Sequence, residues 1–210
     1  MTIRISRMLS PITVLGPGRR VALWVQGCSL ACAGCSSVDT WDPASGTPVS
    51  VEDCARQIIN LLDADPTLTG LSVTGGEPVQ QGAQTARLID LVRQECPAVD
   101  VLLFTGYALP AAVRVAPALV GAVDAVVAGP YRSGSGYGGP LLGSSNQKLH
   151  LLTPLAAERF GPGDLRSGMQ VTATRDELVM VGIPRPGDLE LLETKLGDRG
   201  ISFGDVTWRS

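Results

Sequence analysis

The sequence predicts an α/β protein whose strands form a partial, open parallel β/α barrel, and three observations predict it. Strand-like and helix-like apolar patterns alternate along almost the whole chain, with turn residues between them. Several of the strand-like runs end in glycine-containing turns, the place where open α/β sheets bind ligands. At 210 residues the chain holds fewer βα units than the eight of a closed barrel, which takes ~250 residues.

The elements follow in order. An apolar run over about 21–26 reads as a buried strand leading into a glycine-bounded loop. In VSVEDCARQIINLL the apolar residues Val51, Cys54, Ala55, Ile58, Ile59 and Leu62 recur at helical spacing, and Ser50 is placed to cap the helix with Asp53 three residues on. GLSVTGG reads as a second buried strand, and GAQTARLIDLVRQECP as a helix stopped by Pro97. VDVLLFTGY is a third strand. PAAVRVAPALVG is a helix that Pro117 kinks or shortens, and DAVVAG is a fourth strand. PYRSGSGYGGPLLGSSNQ has no core pattern, and a loop of that length is expected to be functional. QKLHLLT and DELVMVGIP resume strand character, PGDLELLETKLGDRG is helical, and ISF is a short last strand. No repeat or long linker divides residues 1–210, so one domain is expected.

Composition narrows the function classes. Hydrophobic residues at 44 % and charged residues at 18 % are those of a folded globular chain. A net charge of -3 and a pI near 5.2 leave no electrostatic footprint for nucleic acid. No run approaches the ~18 apolar residues of a membrane span, and the first residues lack the apolar core of a signal peptide, so a cytoplasmic protein is expected.

The sharpest feature is the run WVQGCSLACAGC, which places Cys28, Cys32 and Cys35 in one loop at CxxxCxxC spacing directly after the first predicted strand. Five cysteines in all, three of them so close together, do not make a disulfide framework. Three converging thiols bind a metal but leave one position open, whereas structural zinc takes four ligands and an electron-transfer [4Fe-4S] cluster usually takes four cysteines. Cys54 and Cys96 lie within or at the end of helical patterns and read as small buried side chains. His150, the single histidine, alternates within KLHLLT as a half-buried strand residue, so no Ser/His/Asp triad is expected. Trp24 and Trp41 read as core or cluster-shielding residues.

With TGGEP following the second strand, the cysteine motif resembles the radical S-adenosylmethionine (SAM) superfamily. CSLACAGCSSVDTW, LLFTGY, DAVVAGPY and GSSNQ, in that order over roughly 12–152, are similar to the activating proteins of anaerobic ribonucleotide reductase and other glycyl-radical-enzyme activases. The resemblance implies that Cys28, Cys32 and Cys35 bind three irons of a [4Fe-4S] cluster, with SAM chelating the fourth. It implies that Gly75, Gly76 and Glu77 run along the methionine moiety, with Thr105 and Tyr107 at the third strand end and Ser145 and Asn146 of the GSSNQ run as further SAM contacts. It also implies an electron into the SAM sulfonium, a 5′-deoxyadenosyl radical, and hydrogen abstraction from a glycyl-radical enzyme. The partners would be that enzyme and a flavodoxin or ferredoxin-type electron donor. Gly34 before the last cysteine matches the form found in the reductase activases, and the part from about residue 160 extends beyond the shortest of them. Two other readings stay open on the residues: a compact radical SAM enzyme acting on a peptide or small metabolite, and a non-enzymatic protein with structural zinc completed by Cys54 or Cys96, or an electron carrier.

Overall fold

A computed structural model of the protein describes residues 1–202 other than 162, 164, 167, 174–177 and 186. Its centre is a seven-stranded sheet in the order β3-β1-β2-β4-β5-β6-β7. The strands are β1 (Thr2–Ile12), β2 (Arg19–Val25), β3 (Thr47–Ser50), β4 (Leu68–Gly75), β5 (Asp100–Thr105), β6 (Ala125–Ala128) and β7 (Lys148–Leu151). Between them lie α1 (Val51–Ala64), α2 (Gly82–Glu95), α3 (Leu109–Val115) and α4 (Pro117–Ala122), and after β7 comes α5 (Pro154–Arg159). A separate antiparallel pair, β8 (Gly168–Ala173) and β9 (Leu178–Ile183), and α6 (Asp188–Gly197) complete the described chain.

The middle four strands, β2, β4, β5 and β6, run parallel, as an α/β alternation requires. The sheet as a whole is mixed, which corrects the all-parallel expectation. β1 pairs antiparallel with β2 and β3, and β7 pairs antiparallel with β6. β7 turns back because the chain leaves β6 through the glycine-rich loop and not through a crossover helix. β1 and β3 were not expected: β1 is half-buried along most of its length and interrupted by two register shifts, so its apolar pattern is weak. β8 and α5 were missed as well, although Thr153 followed by Pro154 is a helix start, the Thr153 side chain accepting from the Ala156 amide. The strand expected over 201–203 is not formed by Ile201 and Ser202, and Phe203 lies outside the described residues, as do Asp176 and Glu177 of the run ending in β9.

Other expectations hold. Ser50 caps α1, its hydroxyl oxygen accepting from the Asp53 amide at 3.0 Å. α2 ends at Glu95, just short of Pro97, and Pro117 divides its segment into α3 and α4. β2 is buried on both faces after its first residue, which is why it reads as a continuous apolar run. One face of the sheet, with Val21, Leu23, Val73 and Leu103, packs on α1, α2 and α4 through Ile58, Ile89 and Leu119. The other face carries Ala22, Trp24, Leu102 and Val127, covered by Leu15, Leu141, Phe160 and Val181. Cys54 belongs to the first core and is fully buried, and burial pushes its thiol up to about 11. Among the described residues no helix is long and apolar enough to cross a membrane.

The amino ends of the parallel strands are joined by a buried charge cluster that composition did not reveal. Arg20, fully buried, donates to Ser72 Oγ at 2.7 Å, to the Leu71 carbonyl at 3.0 Å and to Asp100 Oδ1 at 2.6 Å. Arg159 meets the other oxygen of Asp100 at 3.0 Å. A Cβ at Gly70 would lie 2.1 Å from Arg20 Nη1, so only glycine leaves room for the guanidinium. D100N is expected to lose about 3–5 kcal/mol of stability, because it leaves a buried guanidinium without its counter-charge. Urea unfolding curves measure this; a variant as stable as the parent would mean that the pair contributes nothing.

Candidate functional site

The site is assembled from the loops that leave the carboxyl ends of β2, β4, β5 and β6. After β2 the chain enters the cysteine loop, which is tied down at both of its ends. The Gly27 amide donates to the Thr40 carbonyl at 2.8 Å, and the Cys28 amide to the Trp41 carbonyl at 3.0 Å. Gln26, itself buried, donates from its side-chain amide to the carbonyls of Asp39 and Asp42. Within the loop Ala31 has φ +46, a conformation that costs an alanine roughly 1 kcal/mol, and the Ser37 amide donates to Cys35 Sγ at 3.4 Å.

The turn after β4 lies against this loop at backbone distance. Gly76 N–H donates to the Val25 carbonyl and Glu77 N–H to the Gly27 carbonyl, both at 2.8 Å. A Cβ at Gly76 would stand 2.3 Å from the Gly27 oxygen, and Gly75 has φ +104, so both glycines are required by geometry. Glu77 reaches across to the loop after β5. Only 1 % exposed, its carboxylate accepts from Thr105 Oγ1 at 2.7 Å, from the Val79 amide at 2.9 Å and from the Gly106 amide at 2.8 Å. Burial pushes this carboxyl above its usual range, against the pull of those three donors. The carboxylate is thus engaged by three protein donors. Leu30 of the cysteine loop sits on Gly106, where a Cβ would be 2.3 Å from its Cδ1.

These loops enclose a cavity of about 300 Å³. Of the residues singled out from the sequence, Cys28, Cys32, Cys35, Gly75, Gly76, Glu77 and Thr105 line it. Tyr107, Ser145 and Asn146 do not, and each has a physical reason. Tyr107 packs against the core on the helix-covered face. Ser145 is exposed and donates to the Ser135 carbonyl, and Asn146 donates to the Pro130 carbonyl at 2.7 Å. From the GSSNQ run it is Gly143 and Gln147 that line the cavity, with Gln147 accepting from the Gly143 amide at 2.8 Å and donating to the Gly129 carbonyl at 3.0 Å. Trp41 lines the cavity, whereas Trp24 is buried in the core of the other sheet face. The sequence reading missed Leu30, Phe104, Val127 and, from the far C-terminal part, Ile183, Pro184 and Leu189. Phe104 and Val127 share a strand face with Leu102 and Ala125, but β5 and β6 are apolar on both faces, so no polar alternation in the sequence marks which residues turn toward the cavity.

The donor set fits an iron–sulfur cluster with one open corner. Three thiols from one loop border the cavity, and neither Cys54 nor Cys96 does, so neither is placed to complete a tetrahedral zinc site. Among the described residues no three Cys, His, Asp or Glu side chains stand at metal-ligand geometry, and gathering the thiolates is coupled to metal binding itself. Burial pushes the Cys28 thiol up, so metal uptake there displaces a proton.

Such a site on such a sheet defines an iron–sulfur protein, and residues 14–150 match the family model of the 4Fe-4S single cluster domain. The chain is 35% identical over 147 residues to the anaerobic ribonucleoside-triphosphate reductase-activating protein of Vibrio cholerae, covering 68% of this chain and 95% of that protein. The protein of the same name from Escherichia coli (strain K12) is 35% identical over 151 residues, with the same coverage, and that of Enterobacteria phage T4 is 30% identical over 141 residues, covering 65% of this chain and 86% of that protein. The chain belongs to the family of anaerobic ribonucleoside-triphosphate reductase-activating proteins. It is thereby a radical SAM enzyme of the glycyl-radical activase type, with a [4Fe-4S] cluster and SAM as cofactors.

Replacing Glu77 by alanine leaves the Val79, Thr105 and Gly106 donors without an acceptor, at about 1–3 kcal/mol for each buried group that finds no other. The E77A melting temperature is expected to fall by roughly 5–10 °C. E77Q should recover only part of the loss, because its carbonyl oxygen still accepts while its amide nitrogen turns a donor toward another donor; equal melting of E77A and parent would remove Glu77 as a tie between the loops.

Proposed function

We propose that this chain activates an anaerobic ribonucleoside-triphosphate reductase, holding a [4Fe-4S] cluster on Cys28, Cys32 and Cys35 and SAM at the iron they leave open. The observation that carries this reading is the single cavity shared by the three cysteines and the Gly75-Gly76-Glu77 turn, at the carboxyl ends of parallel strands. Bound there, the two cofactors supply reductive cleavage of a carbon–sulfur bond and a radical able to take a hydrogen atom from a glycine of the partner.

The chain's own part is to bind, orient and exclude. Cys28, Cys32 and Cys35 ligate; Gly75 and Gly76 offer a backbone edge that no side chain obstructs; Glu77 and Thr105 hold that edge in place. Phe104, Val127 and Trp41 give the cavity apolar walls, which keep water from a reactive species. On this reading residues 1–210 form one domain, the strands curl into a partial barrel of the radical SAM type, the protein works in the cytoplasm, and electrons come from a flavodoxin or ferredoxin-type donor. Tyr107, Ser145 and Asn146 then act at one remove, through the loops they secure.

Anaerobic reconstitution with iron and sulfide is expected to load about four irons per chain. C28A, C32A and C35A should each lose the cluster absorbance, while C54A and C96A keep it. On reduction with SAM, the loaded protein should release 5′-deoxyadenosine and, with a reductase partner, give a glycyl-radical EPR signal. A full cluster on all five variants, or no nucleoside product from the parent under any condition, would sink the proposal.

A further inference from the structure

The matched family segment ends at residue 150, yet the wall of the cavity does not. Gly182, Ile183 and Pro184 at the end of β9, and Leu189 in the first turn of α6, line it as well. This C-terminal part is docked firmly. On β8, Gln170 donates to the Pro11 carbonyl at 2.8 Å and accepts from the Thr13 amide at 3.1 Å. On β9, Val181 is buried with Trp24 and Leu15, and Ile183 packs against the cluster of Leu102 and Val127. The close β8–β9 contact needs glycine at 182, where φ is +133 and a Cβ would lie 2.3 Å from the Gly168 oxygen. The chain that leaves β9 is therefore fixed in direction before it reaches the cavity.

What it brings there is apolar and without titratable groups. Ile183, Pro184 and Leu189 join Phe104, Val127 and Leu141 as apolar lining of a cavity that the three cysteines and the polar groups of Glu77 and Thr105 also border. We infer that Ile183, Pro184 and Leu189 are SAM-contacting residues, and that this chain carries, in its own C-terminal segment, a wall of the SAM pocket outside the matched family segment. The inference rests on the reading of the site given above. A preformed apolar wall binds by removing apolar ligand surface from water and by ordering nothing further at the moment of binding.

Equilibrium dialysis of SAM against the reconstituted full-length protein tests it. I183A/L189A is expected to weaken SAM binding about tenfold, equivalent to ~1.4 kcal/mol, with iron content and cluster absorbance unchanged. L191A is the control, since Leu191 is on the same helix but 52 % exposed and outside the cavity lining. Ile183 also packs in the core, so L189A alone carries the test if the double variant melts early, with a loss of a few-fold that L189M restores. Parent-like SAM affinity in L189A and the double variant overturns the C-terminal wall alone. A parent protein that loads its cluster yet binds no SAM overturns the reading of the site, and the wall with it.

Discussion

Everything at this site depends on how closely the chain after β4 approaches the chain after β2. Gly76 and Glu77 donate to the Val25 and Gly27 carbonyls, and no side chain fits between the two backbones. That contact sets the cysteine loop beside the Gly-Gly-Glu turn. The buried Glu77 carboxylate then extends it to a third strand end, since its acceptors meet the hydroxyl of Thr105 and the amide of Gly106. An ionised carboxylate accepts hydrogen bonds and donates none, which suits three converging donors. The arrangement resists the desolvation that raises the acid's pKa, and the two effects stand in visible opposition.

The same strands are tied at their other ends by charge. Arg20 on β2 reaches Ser72 on β4 and Asp100 on β5, with Arg159 of α5 completing the set. Buried ion pairs add little net stability over apolar packing, but they are intolerant of misplacement, so they favour one alignment of neighbours over its alternatives. Between the two ties the core strands are apolar on both faces and have little of their own to distinguish one register from the next. The polar ends therefore complement the apolar middle. The C-terminal β8–β9 pair lies on the sheet face away from α1, α2 and α4, and so brings its last residues to the cavity.

Much of this was legible in the sequence. The helices α1 and α2 showed as apolar periodicity with a serine cap and a proline stop, and the central strands as continuous apolar runs. The cysteine loop and the TGGE turn were readable because metal and backbone-approach chemistry demand particular residues at particular spacings. β1 and β3 were not, because partly exposed flanking strands carry mixed polarity and take their shape from pairing with neighbours. Tyr107, Ser145 and Asn146 failed as cavity residues for a related cause. Position along the chain brought them near the site, but the direction of each side chain was set by the core or by a carbonyl it bonds.

By itself, then, the sequence determined an α/β alternation, a three-thiol loop with an open metal corner, and a glycine turn suited to close approach. These are local properties, written in residue type and spacing. Only the tertiary structure decided that the outer strands run antiparallel, that Glu77 faces protein donors, that Arg20 and Asp100 are buried together, and that Ile183, Pro184 and Leu189 border the same cavity as the cysteines. The contacts of Glu77 with Thr105 and of Arg20 with Asp100 join residues 28 and 80 positions apart, and no local pattern encodes which distant partner a side chain meets.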